Sequence, residues 1–305
     1  MRFFRYRTDN QPRLAVCVGE KAVDLGYLDS HLPQNLTFIL ERGPKMLAAI
    51  SGLVDAHDGP VLDVASLHPL NPFPAPGKII CIGLNYDEHA RETKLQTSAF
   101  PTVFTRFAST LLDPETPILR SPVSVAYDYE VELAAVIGKA GRYVAMADAL
   151  DHVAGYTIAN DVSVRDYQFA TSQFTIGKNF DATCPLGPVF VTADELPAGG
   201  YGLALQTRLN GEIVQSDTTQ NMIFDVATLV HKLSQVLSLA PGDIILTGTP
   251  SGIGHARTPP LYMKSGDTVE CIVEGIGILR NTVEEEVHGN DILQPQCDTG
   301  EIGTA

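Results

Sequence analysis

The stretch DYEVELAAVIG, residues 128–138, constrains the fold of this chain more than any other. As a strand, its period of two puts Glu130, Glu132, Ala134 and Val136 on one face. Val131, Leu133, Ala135 and Ile137 fall on the other. So apolar a strand is buried on both sides, yet two carboxylates point the same way. With those groups ~5 Å apart and an effective dielectric of ~20, their repulsion is ~3 kcal/mol. That is enough to leave one protonated unless a cation sits between them. Three arrangements resolve the conflict: a solvated face, a Lys or Arg bridge, or a divalent metal. For an isolated E-x-E the solvated face is the commonest.

Further strands are predicted at 78–86, 102–107, 153–160, 187–192, 203–209, 243–248 and 268–274. One amphipathic helix interrupts them, with Met222, Val226, Leu229, Val230, Leu233, Val236 and Leu237 at the 3.6 period. The class is therefore α+β, mostly β. Residues 1–30 read as a small antiparallel unit turning at Gly19-Glu20, and 35–58 as short helices. Four prolines from Pro69 to Pro76 make a semi-rigid connector. The expected division is a small N-terminal domain, 1–72, a main domain, 73–287, and a polar C-terminal tail, 288–305.

Lys and Arg number 21 against 36 Asp and Glu, a net charge of −15 over 305 residues. Such a chain lacks the basic footprint of a nucleic-acid binder and is not drawn to an anionic membrane surface. The five cysteines are scattered and no C-x-x-C exists, so neither a zinc site nor a disulfide framework is indicated. A reducing, cytoplasmic setting is expected. The Arg-rich start, MRFFRYR, is followed by no apolar core of a signal peptide. No run approaches the ~18 apolar residues of a membrane span.

A second buried-looking strand, VAGYTIAND, ends in Asp161. That carboxylate can cap the following VSVRDYQ segment. With Glu130 and Glu132 it can equally form a three-carboxylate oxygen site suited to Mg²⁺ or Mn²⁺. His89 and Glu92 are i, i+3 neighbours, so one helical turn brings them together. Glu92 can then orient the imidazole and make His89 a general base, although Asp87, Glu88 and Arg91 also suit a plain surface helix. The loop TGTPSGIG, 247–254, offers backbone N–H groups that could cradle a carboxylate. It is neither a dinucleotide fingerprint nor a nucleophile elbow. His231 reads as solvated, and His255 and Cys184 as structural.

Six segments in order resemble the fumarylacetoacetate hydrolase family, including its acylpyruvase-like members. They are KIICIGLNYDEHARE (78–92), DYEVELAAVIGK (128–139), GYTIANDVSVRDYQ (155–168), GKNFDATCPLGP (177–188), LNGEIVQSDTTQNMIFD (209–225) and GDIILTGTPSGIG (242–254). The resemblance implies a mixed β-sandwich roll with a small N-terminal domain, usually dimeric. It implies Mg²⁺ or Mn²⁺ held by Glu130, Glu132 and Asp161, which would make the paired carboxylates tolerable. It also implies a water-activating dyad, His89 and Glu92, on a lid, with Lys178 as a further catalytic group. Arg165, Gln168, Thr249 and Arg106 are then expected to bind a small anionic 2-oxo-acid substrate, with an ordinary salt bridge the alternative for Lys178 and Arg165 and above all for Arg106.

The expected reaction is hydrolysis of a C–C bond in a 2,4-dioxo acid (an acylpyruvate), giving pyruvate and a carboxylic acid. Two rivals use the same site: decarboxylation of oxaloacetate, and isomerisation or hydration of a 2-oxo-alkenoate as in aromatic catabolism. A binding protein that kept the fold without the chemistry is the non-enzymatic alternative.

Overall fold

The computed structural model describes residues 1–8, 11–95 and 98–287. The tail expected at 288–305 and Cys297 lie outside the described residues. The backbone builds one large mixed sheet and a five-stranded second sheet. Along the large sheet the order is Leu62–Asp63, Lys21–Asp24, Pro12–Val18, Arg2–Arg7, Cys184–Thr192, Val153–Asn160, Val131–Ile137, Ile244–Leu246, Ile79–Gly83 and Thr102–Arg106. The second sheet runs Glu212–Thr218, Ala204–Leu209, Thr268–Val273, Gly277–Glu285 and Ile118–Arg120.

Every residue from Val131 to Ile137 is buried, because layers cover both faces of that strand. Val131, Leu133, Ala135 and Ile137 pack toward Leu205, Cys271 and Leu279 of the second sheet and the helix Val226–Ser234. Ala134 and Val136 pack into a separate core with Ile79, Cys81, Leu186 and the helical residues Leu36, Ile39 and Ile50. The period of two read from the sequence is thus the partition between two cores. The fold is the sheet-dominated α+β arrangement expected.

Two elements differ from the sequence reading. The stretch 128–138, read as one strand, is broken: Tyr127–Asp128 pairs with Ser163–Val164, and Val131–Ile137 pairs with Val153–Asn160. At the break the Glu130 N–H donates to the Asn160 side-chain oxygen at 2.9 Å, so a side chain carries the register across. The amphipathic helix spans only Val226–Ser234. Asp225 caps it by accepting from the Thr228 N–H, while Asn85 takes the Ile223 and Phe224 N–H groups out of any helical ladder. Met222 and Leu237 still pack on the same core from outside the helix. The first strand, Arg2–Arg7, pairs antiparallel with Cys184–Thr192, so the strands Arg2–Arg7, Pro12–Val18, Lys21–Asp24 and Leu62–Asp63 extend the main sheet. His231 is half-buried, its Nδ1 2.7 Å from the Val144 carbonyl, rather than simply solvated.

Candidate active site

Glu130, Glu132 and Asp161 converge where the strands Val131–Ile137 and Val153–Asn160 end side by side. All three are buried, and each offers an oxygen within 4.8 Å of the others. A solvated face is therefore excluded. Lys178 Nζ bridges two of them, 2.6 Å from Glu130 Oε2 and 2.5 Å from Asp161 Oδ2. Arg165 adds an ion pair to Glu130 at 2.6 Å. Burial alone would raise the Glu130 carboxyl, but Lys178 and Arg165 overcome it and hold the group at about 2. Glu132 goes the other way: burial, reinforced by Asp161 and Glu130, pushes it well above the usual carboxylate range. Its hydrogen bond comes from the Gly248 N–H at 2.7 Å. Gly248 has φ +96°, and a Cβ there would lie 2.7 Å from Asn85 Cβ, so only glycine lets this backbone approach.

His89 sits on the helix Asp87–Thr93, and its Nδ1 is 2.8 Å from Glu92 Oε1. A carboxylate partner fixes the proton on Nδ1 and leaves Nε2 as the basic nitrogen. Glu92 is anchored in turn by the Gly252 N–H, 2.9 Å from its Oε2. Thr249 Oγ1 accepts from Gln215 Nε2 at 2.9 Å. Gln215 also accepts from Thr207 and from the Val131 N–H, joining Thr249 to the strand that follows Glu130.

His89, Glu130, Glu132, Asp161, Arg165, Gln168, Lys178 and Thr249 line one cleft of about 380 Å³, mouth included. Glu92 stands behind His89. Arg106 departs from the expectation that it binds substrate. It does not line the cleft; its guanidinium is buried behind Asp161, with Nε 2.5 Å from Asp161 Oδ1 and Nη2 2.5 Å from the Val162 carbonyl. The loop 247–255 does cradle carboxylates, but they are the protein's own: Glu132 at Gly248, Glu92 at Gly252, and Asp128 at Gly254 and His255. Asp128, Gln215, Asn160 and Asn85 escaped the sequence reading. Asp128 lies in the same DYEVE run as the glutamates, the one signal that could have drawn notice. His255 is packed against Phe169 and is 2.8 Å from the Tyr262 hydroxyl, and Cys184 is buried, both as structural parts.

The donor set is three hard oxygen ligands, buried and mutually close, and it fits Mg²⁺ or Mn²⁺. Glu132 has no direct cationic partner among the described ion pairs, which is the deficit a divalent ion would fill.

A family model described as fumarylacetoacetate (FAA) hydrolase C-terminal matches residues 78–284. The chain belongs to the fumarylacetoacetate hydrolase family. Several relatives in this family carry the names of enzymes. "Oxaloacetate tautomerase FAHD2A, mitochondrial" of Bos taurus is 42% identical over 267 residues, covering 87% of this chain and 84% of the relative. Among solved structures, the fumarylacetoacetate hydrolase of Exiguobacterium antarcticum is 35% identical with a TM-score of 0.81, covering 94% of this chain and 100% of its own. The maleylpyruvate hydrolase of Sphingobium sp. SYK-6, solved in complex with manganese (II) ion and pyruvate, is 27% identical with a TM-score of 0.77, covering 93% and 99%. Among the described residues, no helix is long and apolar enough to cross a membrane.

Proposed function

We propose that this protein catalyses divalent-metal-assisted proton transfer on a small 2-oxo dicarboxylate, interconverting the enol and keto forms of oxaloacetate. The observation that carries this reading is the His89–Glu92 pair, 2.8 Å apart and standing at one cleft with the three carboxylates. The 42% identity to an oxaloacetate tautomerase supports the choice of substrate. When bound by Glu130, Glu132 and Asp161, Mg²⁺ or Mn²⁺ supplies Lewis acidity toward the carboxylate and C2 oxygen of a 2-oxo acid.

The protein's own groups do the rest. Lys178 and Arg165 put fixed positive charge beside a dianionic ligand, inside a chain of net charge −15. His89 Nε2 takes a proton from C3 of the keto form. The C3 electron pair then forms the C2–C3 double bond, and the proton held on His89 passes through solvent water to the C2 oxygen, which completes the enol and restores the neutral imidazole. Ketonisation runs the same steps backward. Glu92 keeps the imidazole in one tautomer throughout and balances its charge when it is protonated.

A second reading rests on the manganese and pyruvate complex of the maleylpyruvate hydrolase relative. There the same His89 would activate water for C–C cleavage of an acylpyruvate, releasing pyruvate and a carboxylic acid. The small anionic 2-oxo acid, the homodimer and the reducing compartment remain part of the proposal. The bovine relative's name places that protein in mitochondria.

The test follows enol oxaloacetate by its ultraviolet absorbance, with Mg²⁺, with Mn²⁺ and with EDTA. Pyruvate release from acetylpyruvate and from oxaloacetate is measured alongside. Metal-dependent loss of the enol signal without pyruvate, abolished in His89→Ala, is the expected result. Pyruvate from acetylpyruvate would move the assignment to hydrolase, and pyruvate from oxaloacetate to decarboxylase.

A further inference from the structure

The geometry points to Asp128 as a positioning residue that holds the His89–Glu92 pair in register with the carboxylate cage. This inference rests on the reading that His89 and Glu92 move the proton. Asp128 is fully buried, and its carboxylate accepts four hydrogen bonds. Oδ1 takes the N–H of Gly254 at 2.7 Å and of Tyr129 at 2.9 Å. Oδ2 takes the N–H of His255 and Arg165 Nε, both at 2.8 Å.

Those bonds reach both halves of the site. Through Arg165 they meet Glu130, paired at 2.6 Å, and Gln168, whose side-chain oxygen accepts from Nη1 at 2.7 Å. Through Gly254 and His255 they pin the loop whose Gly252 N–H anchors Glu92. Gly252 has little freedom to compensate. Its φ is +103°, and a Cβ there would lie 2.3 Å from the Val214 carbonyl oxygen. Its own carbonyl accepts from the Tyr129 hydroxyl at 3.3 Å and from Arg257 Nη2 at 3.2 Å. The line from Asp128 to His89 is therefore short and rigid: Gly254, Gly252, Glu92, imidazole.

A plain counter-ion for Arg165 would need one carboxylate oxygen. Asp128 commits Oδ1 and half of Oδ2 to backbone N–H groups instead, which is the work of an anchor. Asparagine has the same shape, but its NH₂ must face donors whichever way the amide turns, so the loop has to move.

The experiment uses Mg²⁺-loaded full-length protein carrying ¹⁵N-labelled histidine, with the imidazole neutral. Wild type should show His89 in a single tautomer protonated at Nδ1. Asp128→Asn should show a mixture of tautomers and a kcat lower by about 100-fold, the effect of a small misplacement of reacting groups. KM and Mg²⁺ affinity should change far less. In a Glu92→Gln background the same substitution should lower kcat by no more than ~3-fold, because the path it acts through is already cut. Equal losses in the two backgrounds, or an unchanged tautomer in folded Asp128→Asn, would overturn the proposal. If Asp128→Asn does not fold, Asp128→Glu keeps the charge but displaces the acceptor oxygens from the Gly254 and His255 N–H groups and should shift the tautomer in the same direction; no shift in that variant would overturn the proposal too. A wild-type protein inactive on both oxaloacetate and acetylpyruvate would sink the functional reading, while the tautomer measurement would still decide the role of Asp128.

Discussion

Two carboxylates of one cluster, Glu130 and Glu132, are chemically distinct because their neighbours differ. Glu130 faces Lys178 and Arg165 and stays ionised. Glu132 faces like charge and one backbone N–H, and is raised. The sign of the consequence follows directly. A carboxyl whose folded-state pKa lies above its unfolded value supports the fold below the unfolded pKa, and that support is lost as pH rises through the folded pKa. A divalent ion reverses the loss by replacing the proton. Stabilisation by Mg²⁺, measured as the difference in Tm with the ion and with EDTA, should therefore grow as pH rises above the ordinary carboxylate range. Glu132→Gln should raise the Tm in EDTA and remove the Mg²⁺-linked shift. A shift independent of pH, or one that survives in Glu132→Gln, would remove Glu132 from the metal site. At the same scale, His89→Ala should lower kcat by about 10²–10⁴, the usual contribution of a positioned acid–base group. Circular dichroism should find its fold intact, because the ring packs at the cleft and not in either core.

The elements around the site divide into those that hold geometry and those that only add stability, and two substitutions separate them. Asp225→Ala removes the N-cap of Val226–Ser234 and should cost about 1 kcal/mol in urea unfolding with turnover unchanged. Gly252→Ala drives a methyl into the Val214 carbonyl and shifts the loop that anchors Glu92, so turnover should fall even where the protein stays folded. Equal turnover in the two variants would mean the loop does not set the dyad. The elements also mark what a sequence can carry. The two faces of Val131–Ile137 were legible because alternation is a local property, and it maps onto two separate cores. The break at Glu130 was not, because it depends on Asn160, 30 residues away, supplying the acceptor. Arg106 illustrates the same limit. A cation on a strand beside an anionic site suggests substrate, but only the fold shows it spent on Asp161 and the Val162 carbonyl. The carboxylate cradle at 247–255 was readable as a type of backbone, while its three occupants come from positions 92, 128 and 132.

At the scale of the whole molecule, the proline-rich segment at 69–76 changes the composition without interrupting the sheet. Arg2–Arg7 pairs with Cys184–Thr192, and Phe3, Leu14, Val16, Leu25, Leu36 and Ile39 share one core with Cys81, Ala134, Val136 and Leu186. That core lies against the strand face that carries Glu130 and Glu132. Burying one such side chain is worth about 1.5–3 kcal/mol. Six of them rival the 5–15 kcal/mol margin of a typical domain. Removing residues 1–72 would also leave Val189, Phe190 and Val191 of Cys184–Thr192, the residues paired with Arg2–Arg7, as an open strand edge, free to associate with other chains. The disturbance should reach the chemistry, because Thr183, next to that strand, accepts from Arg106 Nη1 at 3.4 Å, and Arg106 holds Asp161. A protein of residues 73–287 is therefore expected to aggregate or to melt without a cooperative transition, and to show no Mg²⁺-linked shift in Tm. Size-exclusion chromatography and thermal unfolding with Mg²⁺ or EDTA read both outcomes. A monodisperse fragment with a cooperative, Mg²⁺-sensitive transition would mean that the metal site stands on the second sheet and the central strands alone, and that the amino-terminal strands are an addition to a complete catalytic fold.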